Sequence, residues 1–169
     1  MRRYLIPLVI LLLLGGGAAI TGSGDDEKRD RQPRGGSVSV AVDRVVDGDT
    51  AKVFYGGESE YVRYIGIDTP ESVQPGEPVE CFGNESKDLN ASLIEGERMR
   101  LVFDEERRDH YGRLLAYVYV DGKLLQAELL RRGYATTLEV SPNTSKADRF
   151  ARLEEEARQR DRGLWAACP

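Results

Sequence analysis

The chain has 169 residues, 40% of them hydrophobic and 31% charged, with a formal net charge of −5 at pH 7. That length supports one well-buried core and argues for a single folded domain. The acidic balance excludes a protein that holds nucleic acid by broad counterion release, so any polyanionic partner needs a local attractor.

In chain order, Arg2 and Arg3 precede an unbroken apolar run from Tyr4 to Leu14 and then a small-residue stretch, the layout of a secretory signal. Counting on through Ile20, the apolar segment approaches the ~20 residues that span a bilayer. Residues 1–22 are therefore read as a signal peptide or a membrane anchor. Either way the domain is expected outside the cell, secreted or held on the outer face of the membrane. Setting Arg2 and Arg3 aside leaves 22 basic against 29 acidic side chains, a net charge of −7. Residues 23–36, SGDDEKRDRQPRGG, are charged, glycine-rich and without apolar periodicity, as expected of a disordered linker. Residues 37–169 make up the domain proper.

That domain opens with strand alternation. Ser37 to Val46 places Val38, Val40 and Val42 on one face, and Ala51 to Tyr55 and Glu60 to Ile67 supply two more β-branched and aromatic runs about a turn at Gly56-Gly57-Glu58. Cys81 to Ile94 reads as a helix, and Arg98 to Asp104 and Arg113 to Val120 return to strand, the last closed by Asp121-Gly122. Leu124 to Arg132 reads as a short helix stopped by Gly133. Ser145 to Arg162 reads as a longer one capped by Ser145 and stopped by Gly163. On it Ala147, Phe150, Leu153 and Ala157 form an apolar stripe for core packing, with Leu164 and Trp165 docking after it. Three strands, a helix, two strands and two helices describe an α+β domain, and a small closed barrel is the economical way to avoid sheet edges.

Cys81 and Cys168 both lie in the exported part, where an oxidising compartment favours a disulfide over two free thiols and would pin the C-terminal tail to the domain. One histidine and no CxxC spacing argue against zinc. Asn84, Asn90 and Asn143 each begin a glycosylation tripeptide, a pattern that chance also produces.

The chemistry gathers in two stretches, VVDGDT (Val45 to Thr50) and YIGIDTPE (Tyr64 to Glu71), which bring Asp47, Asp49, Asp68 and Glu71 into one β-rich region. Antiparallel pairing about a turn near Gly57 to Ser59 sets Asp49 opposite Asp68. Two carboxylates so placed either stay solvated at a strand end or share a cation, and an all-oxygen site suits calcium or magnesium. Arg63 precedes Asp68 on the same run, and Arg113 follows a glycine in DHYGR, Asp109 to Arg113. Arginine forks match phosphate oxygens, although a surface salt bridge is the plainer use of either one. Strict alternation puts Arg63 and Asp68 on opposite faces, so if both line one site the strand must be irregular at Gly66.

The ordered set DGDT, VRYIGIDTPE, DHYGRLLAYVY, LLRRGYA and GLW resembles the staphylococcal nuclease (thermonuclease) family over roughly Val38 to Trp165. The resemblance implies an OB-fold barrel of five strands with three helices, and calcium-dependent hydrolysis of phosphodiester bonds in DNA and RNA. It implies Asp49 and Asp68 as side-chain calcium ligands with Thr69 adding its main-chain oxygen, and Asp47 as a nearby supporting carboxylate. Glu71 becomes the residue that positions or deprotonates water, Arg63 and Arg113 the phosphate clamp, and Tyr111 a contact near the nucleotide. Glu71 must stay ionised for that task, and the arginines and the ion are expected to hold its pKa down. His110, beside the clamp, is read as a surface residue. Two departures stand out. Where the family has base-cradling tyrosines after the second helix this chain reads TTLEVSPN, Thr136 to Asn143, and the basic loop after TPE is replaced by SVQPGEPVE. Single-stranded or short DNA or RNA is the expected substrate, since unstacked backbones enter a pocket readily. A monomer without an obligate protein partner is expected. The rival from another class is a non-catalytic OB-fold module that binds nucleic acid or protein.

Overall fold

A computed structural model describes residues 36–72, 76 and 78–168. The signal or anchor at 1–22 and nearly all of the linker at 23–36 lie outside the described residues. Among the described residues no helix is long and apolar enough to cross a membrane.

Five strands carry the barrel: β1 (Ser37–Asp47), β2 (Thr50–Tyr55), β3 (Glu58–Tyr64), β5 (Arg98–Val102) and β6 (Leu114–Val120). Neighbours pair antiparallel in the order β3-β2-β1-β5-β6, and a parallel pairing of Val62, Arg63 and Tyr64 with Leu114, Leu115 and Ala116 closes the ring. Closure removes the open sheet edges, as an OB-fold requires. Alternation works as the sequence suggests. Ala51, Val53, Val62, Tyr64, Met99, Leu101, Leu114, Ala116 and Val118 are all buried and fill the interior. Helix α1 (Gly83–Ile94) lies against β1, while α2 (Leu125–Arg132) packs on both β6 and α3 (Ala147–Gln159). A two-residue strand β7 (Lys123–Leu124) leads into α2, and the one-turn α4 (Leu164–Ala167) ends the chain.

The hairpin register differs from expectation. Gly56 and Gly57 both take positive φ, which permits a two-residue turn, so Tyr55 pairs with Glu58, Lys52 with Tyr61 and Thr50 with Arg63. Asp49 therefore faces Tyr64, whose N–H donates to its carbonyl at 3.0 Å, and not Asp68. Asp68 reaches the site by another route. β3 stops at Tyr64, the chain turns at Ile65-Gly66, and a two-residue strand β4 (Ile67–Asp68) restarts and pairs with β8 (Thr136–Thr137). The expected irregularity at Gly66 is thus a full break. Gly66 has φ +82°, and a Cβ there would stand 2.8 Å from the buried Phe150 ring.

At the C-terminal end, Ser145 does not cap α3. Its N–H donates to Asp104 at 3.1 Å and its hydroxyl lies 3.3 Å from Tyr117 Oη, because the loop is anchored to the barrel before the helix begins at Ala147. The helix ends at Gln159, short of Gly163. Phe150 and Ala157 of its stripe are buried, while Ala147 and Leu153 are half-buried. Cys81 and Cys168 form a disulfide across a sequence separation of 87. Asn90 and Asn143 are buried, which leaves Asn84 as the exposed one of the three tripeptide asparagines.

Replacing Gly66 with alanine should cost about 3 kcal/mol, from a strained left-handed backbone combined with overpacking against Phe150. Urea denaturation checks this; a midpoint equal to that of wild type would refute the account of the break.

Candidate active site

The break at Gly66 sets Asp68 beside Arg63, and Arg63 becomes the joint of the site. One of its terminal nitrogens contacts Asp49 Oδ2, and the other donates to Asp68 Oδ1 at 2.5 Å. The Arg63 and Asp49 side chains are only 16% and 6% exposed, so this is a largely buried pair, whereas Asp68 stays half in solvent at 51%. Asp49 is held further by the Thr50 hydroxyl at 2.8 Å and the Thr69 N–H at 3.0 Å. Thr69 Oγ1 is buried beside them without a hydrogen-bond partner.

Asp47 is buried and accepts from the Gly48 N–H at 2.8 Å and the Ser72 hydroxyl at 2.7 Å. Asn90 fixes the loop from below. Its Nδ2 donates to the Asp47 carbonyl at 2.7 Å, while its Oδ1 accepts from the buried Tyr64 hydroxyl at 3.1 Å. Asn90 and Ser72 were not legible in the sequence as site residues, and the sole signal at Asn90 was a tripeptide that pointed elsewhere.

Glu71 stands at the rim. Partial loss of water pushes its carboxyl above the ordinary carboxylate range, the neighbouring Asp47 and Asp68 add to this, and Arg63 offsets it only in part. The arginines and a bound ion together are expected to hold this carboxyl down; of these, Arg63 offsets the rise only in part, because it is committed to the two aspartates while Arg113 is paired with Asp109. The backbone around Glu71 is clasped on both sides. Glu80 Oε2 accepts from the Glu71 N–H at 2.9 Å, and the Glu80 N–H donates to the Glu71 carbonyl at 3.0 Å. Gly83 lies so close to that carbonyl that a Cβ would approach it to 2.5 Å. The next residue after Glu80 is Cys81, so the disulfide anchors this clasp to the C-terminal tail.

Arg113 stands one residue before β6, in a turn that Asp109 organises. Asp109 accepts from the Tyr111 and Arg113 N–H groups at 3.0 and 2.9 Å and from Arg113 Nε at 2.6 Å. Burial works against ionisation of Asp109, but these Arg113 and Tyr111 contacts outweigh it and hold its pKa below the usual range. An Asp four residues before the arginine in DHYGR was the available signal for this positioning. The Arg113 guanidinium lies 5.4 Å from the Tyr111 ring centre, and Tyr111 is 74% exposed. His110 is exposed as expected, with its ring 3.7 Å from that of Tyr111.

Two cavities meet at the arginines. A cleft of about 500 Å³ is lined by Asp47, Asp49, Thr50, Tyr61, Arg63, Glu71, Tyr111 and Arg113, with Val46. A second, of about 250 Å³, shares Arg63 and Arg113 and has a mostly apolar wall including Ile65, Ile67, Leu115, Leu138 and Val140. Nearly every residue expected of the site therefore borders one cleft. Asp68 joins it through Arg63, and Thr69 through Asp49. Among the described residues no three acidic, histidine or cysteine side chains converge into a metal cage. The nearby oxygens are the Asp49 and Asp68 carboxylates, both paired here with Arg63, and the unpartnered Thr69 hydroxyl. Such a set fits a hard cation that keeps part of its water shell.

The family described as "Staphylococcal nuclease homologue" matches residues 61–167. The chain is 46% identical over 131 residues to the SPbeta prophage-derived endonuclease YokF of Bacillus subtilis (strain 168), covering 76% of this chain and 44% of that protein. It is 44% identical over 131 residues to endonuclease YncB of the same strain, with 76% and 62% covered. The chain thus spans less than two thirds of the length of either Bacillus protein. A thermonuclease of Staphylococcus intermedius is 34% identical over 146 residues, 86% of each chain. The family match over most of the chain, together with these identities, shows that the chain belongs to the staphylococcal nuclease family.

Proposed function

We propose that this chain is an exported, calcium-dependent nuclease that hydrolyses phosphodiester bonds in DNA or RNA, acting on single-stranded or short substrates. The observation that carries the reading is the convergence of Arg63, Arg113, Glu71 and Asp49 on one cleft beside an apolar cavity. A phosphodiester is already anionic and gains charge on attack, so two guanidiniums in a partly dehydrated cleft lower the barrier. Calcium held by Asp49, Asp68 and Thr69 would supply further positive charge and polarise the phosphate. Glu71 orients the attacking water or takes its proton. The apolar cavity, walled by Leu138 and Val140 where the family has tyrosines, receives the nucleoside by packing without aromatic stacking. The Cys81–Cys168 disulfide supports export to an oxidising compartment. Residues 1–22 as signal or anchor, and 37–169 as one independently folding domain, belong to the same proposal.

Arg63 is a poor test residue, since removing it strands the buried Asp49 at a cost of roughly 3–5 kcal/mol. Arg113 is cleaner: its side chain is 33% exposed, and its partner Asp109 keeps two backbone donors. Arg113→Ala should lower kcat about a hundredfold or more with stability changed by no more than about 1 kcal/mol. Glu71→Gln should lower kcat by a similar factor, and chelation should abolish cleavage of labelled single-stranded DNA and RNA. Wild-type rates in both variants would discredit these roles, and cleavage by no form of the protein would favour the binding-module alternative.

Glu80 is expected to act by positioning Glu71. Glu80→Ala should cut kcat about tenfold with KM little changed, because a displacement near 1 Å is enough to misalign the attacking group. Glu80→Gln, which keeps the acceptor, should restore the rate, and reduction of the disulfide should shift kcat in the direction of the alanine variant. Loss of rate in the glutamine variant equal to that in alanine would show that hydrogen bonding to Glu71 is not what matters.

A further inference from the structure

The outer face of the β2–β3 hairpin continues the cleft in one direction. Arg63 and Tyr61 are two residues apart on β3 and so share a face, separated by about 6.7 Å along the strand. Tyr61 borders the cleft with Arg63 and Tyr111, and it is 42% exposed. Lys52, its cross-strand partner, places its ammonium 4.3 Å from the Tyr61 ring centre. Arg44 of β1 pairs in register with Lys52, which extends the row by another cation on the same face. Arg44 is also paired with Asp43 at 3.1 Å, so on a chain with net charge −5 Lys52 is the principal positive charge of this strip, with an aromatic ring at its cleft end. A cross-strand cation–ring pair could serve the hairpin alone, but that use requires neither a position on the cleft wall nor a second cation behind it.

We propose that Tyr61 and Lys52 form an accessory nucleotide subsite: Tyr61 stacks the base next to the scissile phosphate, and Lys52, backed by Arg44, takes the adjoining backbone phosphate. The occupant is a single nucleic-acid strand leaving the cleft along the hairpin. The inference rests on the nuclease reading of the cleft and adds the direction of the strand. It also accounts for a chain that has no aromatic side chain from Thr136 to Asn143. Stacking is sequence-tolerant, so the subsite favours unpaired substrates without selecting among bases.

The test is fluorescence anisotropy of a labelled octathymidylate with the full chain in EDTA, over a salt series, alongside cleavage of the same oligonucleotide by wild type with calcium. Tyr61→Ala should raise Kd about tenfold, and Tyr61→Phe should bind as wild type, since the ring and not the hydroxyl stacks. Tyr61→Leu, which keeps a strand-compatible apolar side chain, should match the alanine variant and covers a failure of that variant to fold. Walking one abasic position along the strand should reveal a site where wild type loses about tenfold while Tyr61→Ala loses nothing more. Lys52→Ala should reduce the slope of log Kd against log salt by about 0.7, the value of one single-strand phosphate contact. Affinities and slopes equal to wild type in all variants would overturn the subsite. The predicted affinities without cleavage by wild type would instead overturn the nuclease reading and leave the subsite standing.

Discussion

Two carboxylates, one of them buried, can share a small space only if positive charge lies between them, and in this protein Arg63 provides it. Its guanidinium spans Asp49 from the β1–β2 turn and Asp68 from the short strand after Gly66. The pairing is demanding, since a buried charge left without its partner costs several kcal/mol. Much of the local architecture serves this contact. The chain breaks at Gly66, where no side chain could fit above Phe150, and restarts so that Asp68 returns to the face of Arg63. Asn90 and Ser72 hold the Asp47 loop from the helix side and the rim, and the Thr69 N–H fixes the Asp49 carboxylate.

The electrostatics are therefore local. The chain as a whole is acidic, yet Arg63, Arg113, Lys52 and Arg44 lie in or beside one cleft, while Asp109 holds Arg113 in its turn. Glu71 feels the other side of this balance. With Arg63 occupied by the aspartates, its neighbours Asp47 and Asp68 and its own loss of water raise its pKa. The Glu71 backbone is held by Glu80, next to the disulfide, so a covalent link to the C-terminal tail bears on a residue at the rim of the cleft.

The walls on the two sides of the arginine pair differ. An apolar cavity without aromatic rings lies on one side of the arginine pair, and exposed Tyr61 and Tyr111 lie on the other. Exposed rings beside the cleft thus stand on the hairpin and the DHYGR turn and not in the segment after α2.

The sequence by itself determined the strands, the helices and their order, because alternation of period two and stripes of period 3.6 follow from which residues must leave water. It also supplied the candidates for the site, since Asp49, Asp68, Arg63, Glu71 and Arg113 stand in short motifs whose chemistry is local. Only the tertiary structure decided how they meet. The register of the hairpin turned on a two-glycine turn centred two residues earlier than the strand pattern suggested, and the approach of Asp68 turned on a break that alternation cannot express. Asn90, Ser72 and Glu80 act through partners up to 43 residues away in the chain, as Asn90 does with Asp47. Hydrogen bonds of that kind leave no periodic trace, because they depend on which surfaces the closed barrel brings together.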